Sequence, residues 1–93
     1  MNDNYKWHPI TDKMRNSKYG GFPMADCDVY ITFDFDYGKR EVVLAQLKVE
    51  CYTIDGIQYA WYDTIKNYRI TSRNDKRVKA WMYCRLPRPY EGE

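Results

Sequence analysis

One histidine, two serines and three cysteines are all that this 93-residue chain offers to imidazole, serine or thiol chemistry. His8 stands alone, so a metal site built on it would need thiols or carboxylates brought to it. Cys27, Cys51 and Cys84 lie far apart, with no C-x-x-C spacing. The simpler reading of His8 is a surface residue whose backbone is held extended by Pro9. Neither Ser17 nor Ser72 sits in a nucleophile-elbow pattern. No apolar run approaches the roughly 18 residues of a membrane span, and the polar start Met1-Asn2-Asp3-Asn4-Tyr5-Lys6 is not a secretory signal. These gaps predict an intracellular, reduced protein that is not an enzyme, uses no cofactor, holds no metal and keeps its thiols as small apolar residues. Cys84, in a basic neighbourhood, is the one thiol whose setting suits a nucleophile, and it defines a minor alternative, a small thiol enzyme.

What the chain has in excess is aromatic surface and segregated charge. Ten tyrosines and three tryptophans exceed what a small core requires. Rings with a polar tip suit half-buried strands and recognition surfaces alike. The net charge of +2 conceals a division. Residues 19–63 carry Lys39, Arg40 and Lys48 against eight carboxylates, whereas residues 64–88 carry eight cations against Asp75 alone. The two halves either pair within one fold or leave the second as a basic surface.

Period-2 alternation dominates the pattern. Cys27, Val29, Ile31, Phe33 and Phe35 fall on one face of a strand, with Asp28, Tyr30, Thr32, Asp34 and Asp36 on the other. Tyr37-Gly38-Lys39-Arg40 makes a turn. A second strand over 41–52 lines Val43, Ala45, Leu47, Val49 and Cys51 on one side, and Val42 and Leu44 suggest that its first half is covered on both. Ile54-Asp55-Gly56 signals a hairpin, with a returning strand from Ile57 to Tyr62. Tyr68 to Thr71 reads as a short strand and Ser72 to Asp75 as a turn. From Arg77 to Arg85 the last strand places Val78, Ala80, Met82 and Cys84 inward, and Lys79, Trp81, Tyr83 and Arg85 outward. Pro87 and Pro89 end the pairing.

The expected architecture is therefore mostly β: one domain over 1–93, with an irregular N-terminal cover over 1–25 anchored by Trp7 and Ile10. A β core over 26–89 forms a small antiparallel twisted sheet or half-open barrel of four to five strands, and 90–93 is a tail. The alternative is α+β with one short helix near 11–18, capped by Thr11, or near 64–70.

The opening Trp7-His8-Pro9-Ile10-Thr11-Asp12-Lys13-Met14 and the ending Trp81-Met82-Tyr83-Cys84-Arg85-Leu86-Pro87-Arg88-Pro89 bracket this domain. Together with Val29-Tyr30-Ile31, Val42-Val43-Leu44-Ala45-Gln46-Leu47 and the Gly56 turn, they resemble the phage and prophage family called domain of unknown function 551. Its members open on W-x-P-[IV] and close on W-M-P-L-P-E-P. Here Tyr83-Cys84-Arg85 stands between Trp81-Met82 and Leu86-Pro87. The resemblance implies a phage or prophage origin and a bacterial cytoplasmic setting, and it implies no activity.

The chemistry left to weigh is binding. Asp34 and Asp36 share a strand face, with Asp28 further along, as a cation site or a wet face would have it. Arg77, Lys79, Trp81, Tyr83, Arg85 and Arg88 form an aromatic-and-cation ridge, the expected partner-binding surface. The function this predicts is a small phage accessory protein that binds a host or phage protein or a protein–nucleic acid complex. In its sharpest form it is an inhibitor of a host nucleic-acid-handling or defence complex, in the manner of an anti-CRISPR protein. The alternatives are a β module that binds single-stranded nucleic acid directly and a structural phage protein.

Overall fold

The computed structural model describes residues 6–16 and 21–84. Its elements in chain order are β1 (His8–Pro9), α1 (Asp12–Arg15), β2 (Val29–Asp34), β3 (Arg40–Thr53), β4 (Gly56–Asp63), β5 (Tyr68–Ser72) and β6 (Val78–Tyr83). The strands make one open antiparallel sheet in the order β1-β6-β2-β3-β4-β5. The mostly β class expected from the alternation is what the chain adopts. The sheet does not close, and the sixth strand is the two-residue β1, inside the segment expected to be irregular.

β3 is the rail on which the others hang. Its first half, Arg40 to Ala45, pairs with β2, and its second half, Ala45 to Thr53, pairs with β4. The sheet is therefore staggered: β2 and β6 flank one end of the rail, β4 and β5 the other. The inner face carries the core. Val29, Ile31 and Phe33 of β2, Ala45 and Leu47 of β3, Trp61 of β4, and Val78 and Trp81 of β6 are all buried, and Ile10 closes over them.

Ile10 reaches the core because its N–H donates to the Lys79 carbonyl (2.9 Å), extending the β1–β6 pairing. Trp7, the other expected anchor, is 37% exposed. α1 follows at once. Thr11 Oγ1 accepts from the Met14 N–H (3.2 Å), and Met14 Sδ accepts from the Thr11 N–H (3.4 Å), a reciprocal cap in which sulfur takes the usual carboxylate role. The helix presents Met14 to the core and Arg15 to the outer edge of β6. Arg15 donates to the carbonyls of Val78 (2.9 Å) and Lys76 (3.5 Å) and pairs with Asp12 (2.8 Å). Gly21 has φ of +83°, and a Cβ there would overlap the end of the Met14 side chain. The chain can therefore lay its Gly21 carbonyl against the Trp81 indole only where it has no side chain.

Among the described residues three β-bulges interrupt the alternation. Between β2 and β6, Ala80 opposes Thr32 while Val78 opposes Phe33, so Lys79 is the extra residue. A bulge reverses which side of the sheet the following residues face. Val78 and Trp81 thus both point inward, and Ala80 and Met82 point outward. This corrects the reading of β6 as strictly alternating. A second bulge sets Val49 against Tyr59 and Cys51 against Gln58, with Glu50 extra. Cys51, expected on the apolar face, is consequently exposed, and its thiol donates to Gln58 Oε1 (3.2 Å). A third opposes Trp61 to Thr71 and Tyr62 to Arg69. Among the described residues no second layer lies over Tyr30 and Val42 on the outer face. Val42 is 59% exposed, so the two-sided cover expected for the first half of β3 is absent there.

Candidate functional site

The expected ridge on β6 is not an exposed ridge. Trp81 is 4% exposed, its Nε1–H donates to the Gly21 carbonyl, and its ring lies 4.4 Å from that of His8, nearly parallel. Tyr83 stands edge-on to Trp81 at 4.9 Å and is 36% exposed, the one ring of the pair that reaches solvent. Arg85 and Arg88 lie outside the described residues. Of the four ridge residues that are described, the aromatic pair belongs to the inner face through the Lys79 bulge.

The cations are held by the acidic half of the chain. Arg77 donates to Asp75 (2.9 Å) and to Asp36 (3.0 Å), and its guanidinium lies 5.2 Å from the centre of the Phe33 ring. Lys79 Nζ is 3.9 Å from Asp34, which also takes two bonds from Arg40. Arg69 pairs with Glu50 through both carboxylate oxygens. Arg69, Arg77 and Lys79 of the basic segment thus meet carboxylates of the acidic one, and Asp34 and Asp36 are partners of cations in the chain. Among the described residues no three of His, Cys, Asp and Glu gather as a metal site would need. Cys84 is half-buried, and Tyr30 beside it has its hydroxyl pKa raised, first by a hydrogen bond with that thiol.

Asp75 is the hub of the turn before β6. It accepts from Thr71 Oγ1 (2.6 Å), from the Arg77 backbone N–H (2.8 Å) and from the Arg77 guanidinium. The Arg77 guanidinium holds its carboxyl far below the ordinary aspartate value of 3.8, against the opposing effect of burial. A carboxylate depressed in the folded state stabilises above its unfolded pKa and loses that contribution as pH falls toward its folded one. Thermal unfolding followed from pH 6 down to pH 2.5 should show wild type losing stability below about pH 4. Asp75→Asn should be less stable by about 1–3 kcal/mol at pH 6, with the gap closing as pH falls.

The element that does stand open is the far end of the β3–β4 hairpin. β2 ceases to pair with β3 at Ala45, with one further bond from the Asp26 N–H to the Leu47 carbonyl. β5 ceases to pair with β4 at Ala60, with one further bond from the Arg73 N–H to the Tyr59 carbonyl. Beyond these points residues 48–58 continue as a two-stranded arm, closed by Ile54-Asp55 and by Gly56 at φ of +134°. The Glu50 bulge puts Val49, Tyr52, Ile57 and Tyr59 on the core-side face of this arm. The apolar stripe thus runs on past the core into solvent. Val49 is 39% exposed, Ile57 46%, Tyr52 78% and Ile54 fully exposed at the tip. Sequence reasoning missed this stripe because the alternation over 41–52 does not show how far a neighbouring strand runs beside it. The available signal was the length of the apolar run against the shortness of Tyr68–Ser72.

At the foot of the arm, where β5 stops, a cleft of about 260 Å³ opens beside β4. Glu50, Ile57, Tyr59, Arg69, Arg73 and Asn74 line it. The Arg73 guanidinium lies 4.7 Å from the centre of the Phe22 ring and 5.7 Å from that of Tyr59. Comparison with protein-family models, with curated proteins and with solved structures returned no match.

Proposed function

We propose that this chain works by binding another protein, with the β3–β4 arm as the contact element. One observation carries the reading. The arm exposes large apolar side chains on one face while the backbone edges on both its sides lack strand neighbours among the described residues. Folded proteins ordinarily blunt such edges with charge, proline or cover, and exposed apolar patches of this kind mark interaction sites. At the β1 margin, Pro9 and the Arg15 side chain blunt the edge in this way. The family resemblance adds a setting: a phage or prophage accessory protein acting on a host or phage protein in a bacterial cytoplasm. An inhibitor of a defence or nucleic-acid-handling complex is the sharpest form. Direct binding of single-stranded nucleic acid is the weaker reading. Trp81 offers no open face for base stacking, and Arg77 and Lys79 already have carboxylate neighbours.

Capture from a bacterial lysate on immobilised wild type, on Tyr52→Ser/Ile54→Ser and on Lys79→Ala tests this. The same protein should co-purify with wild type and Lys79→Ala and be lost with the arm variant. Each buried anchor removed should weaken binding by about 1–3 kcal/mol. Equal capture by all three, or loss with Lys79→Ala alone, overturns the arm as the contact. Retention of labelled single-stranded DNA at low salt, falling steeply as salt rises, would favour the weaker reading instead.

A further inference from the structure

We propose that the open, β2-side edge of the arm pairs with the same edge of a second copy of this chain, antiparallel across a two-fold axis. The inference rests on the arm being a contact element, as read above, and names what takes one of its sides. The apolar face and the β4 side stay available to another protein.

The backbone of this edge is laid out for a strand. The Leu47 carbonyl faces the β2 side, since it accepts from the Asp26 N–H at 2.9 Å. Alternation turns the N–H and C=O of Val49 the same way. On β4 the Tyr59 carbonyl faces β5, because it accepts from the Arg73 N–H, and Ile57 two residues earlier faces with it. Tyr52 opposes Ile57, so its own N–H and C=O point away from β4, into the open side. No described residue pairs with β3 there beyond Leu47. Two copies of Tyr52 set opposite each other satisfy both groups of each, and an isologous pairing of this kind closes on itself.

Charge selects the guest. Residues 48–58 carry three ionised side chains, Lys48, Glu50 and Asp55. Both oxygens of Glu50 are held by Arg69. Lys48 at the base of the arm and Asp55 at its tip have no partner among the described residues. Opposite signs at opposite ends of a strand are matched twice by an antiparallel copy of the same strand. The Glu50 bulge sets the register. Because that residue is extra, Tyr52, Cys51, Val49 and Lys48 stand opposite four successive residues of β4, Ile57 to Ala60. Four successive residues fit the other side likewise. With Tyr52 facing Tyr52, the second copy's Thr53, Ile54 and Asp55 come to Cys51, Val49 and Lys48. Each Ile54, fully exposed in the single chain, covers a Val49 that is 39% exposed, and each Asp55 reaches a Lys48. Asp26, bonded beside Leu47, stops a slip toward the base, and a slip toward the tip leaves both charges unmatched. The contact is short, at the small end of protein interfaces (below about 1,200 Å² in total), so the pairing is a concentration-dependent equilibrium.

The test is sedimentation equilibrium of the full chain from about 10 μM to about 1 mM, with amide hydrogen exchange at both ends of that range. Wild type should shift from monomer to dimer. Exchange of the Tyr52 N–H should slow as the dimer fills, while that of the Ile57 N–H stays the same. Lys48→Glu and Asp55→Lys each set like charges opposite one another and should each weaken the dimer at least about tenfold. The double variant Lys48→Glu/Asp55→Lys restores the match with its sign reversed and should regain wild-type association. Should Asp55→Lys disturb the turn, Lys48→Glu and the Tyr52 exchange of wild type decide alone. A chain still monomeric at about 1 mM, a dimer indifferent to both charge reversals, a folded double variant no better than the single ones, or protection at Ile57 in place of Tyr52 overturns the pairing. If no dimer forms while Tyr52→Ser/Ile54→Ser still loses its captured protein, the second copy is wrong and the arm reading stands. If the dimer forms as described and that variant captures normally, the arm reading is what fails.

Discussion

Trp81→Ala is expected to cost about 3–5 kcal/mol of folding stability, much of the roughly 5–15 kcal/mol that holds a domain of this kind together. The ring is buried between Ile31 of β2, which it opposes, and His8 of β1, on which it stacks. Its loss therefore opens a cavity and also loosens the N-terminal segment from the sheet. Chemical denaturation should show a lower midpoint with an unchanged slope. Trp81→Phe restores most of the volume but leaves the Gly21 carbonyl without its indole donor, which adds about 0.5–1.5 kcal/mol to the cost of the missing ring. Had Trp81 been the exposed contact that strict alternation implies, both substitutions would leave stability nearly unchanged and weaken only binding. The two outcomes do not overlap.

Trp61 gives the second large effect, and the comparison between the two tryptophans isolates a single hydrogen bond. Trp61 is fully buried at the centre of β4, beside Phe22 and opposite Leu47, so Trp61→Ala should again cost about 3–5 kcal/mol. Its Nε1–H, however, is buried with no partner among the described residues. An unpaired buried donor is itself unfavourable. Trp61→Phe removes that donor together with the ring, so it should cost less than Trp81→Phe by about 1 kcal/mol. Equal costs in the two phenylalanine variants would show that the Gly21 bond contributes nothing.

The strands β2 to β6 were legible because period-2 alternation is a local property, whereas the two-residue β1 was not. Val29, Ile31 and Phe33 announce their burial by alternating with Asp28, Tyr30, Thr32 and Asp34, and Asp55-Gly56 announces the hairpin. Thr11 announced the cap of α1, although not the methionine sulfur that completes it. The bulges were not legible. Nothing near Lys79 or Glu50 marks an extra residue, since a bulge is decided by what the neighbouring strand needs opposite it. Each one reversed the facing of the residues that follow, which is why Trp81 went from expected contact to core and Cys51 from core to surface. The pairing of Arg77 with Asp36 and of Arg69 with Glu50 was visible only as a charge division, because both pairs join distant parts of the chain. The arm was hidden for a similar reason: a strand betrays its own pattern, but not whether a neighbour runs beside it to the end.

The two margins of the sheet are finished differently, and this sets a limit on assembly. At one margin β1 turns Pro9 outward, a residue without an N–H, and Arg15 occupies the carbonyls of Val78 and Lys76. Among the described residues, a chain that docks by adding a strand therefore meets a blocked edge there, whereas the β3–β4 arm leaves its backbone open on both sides.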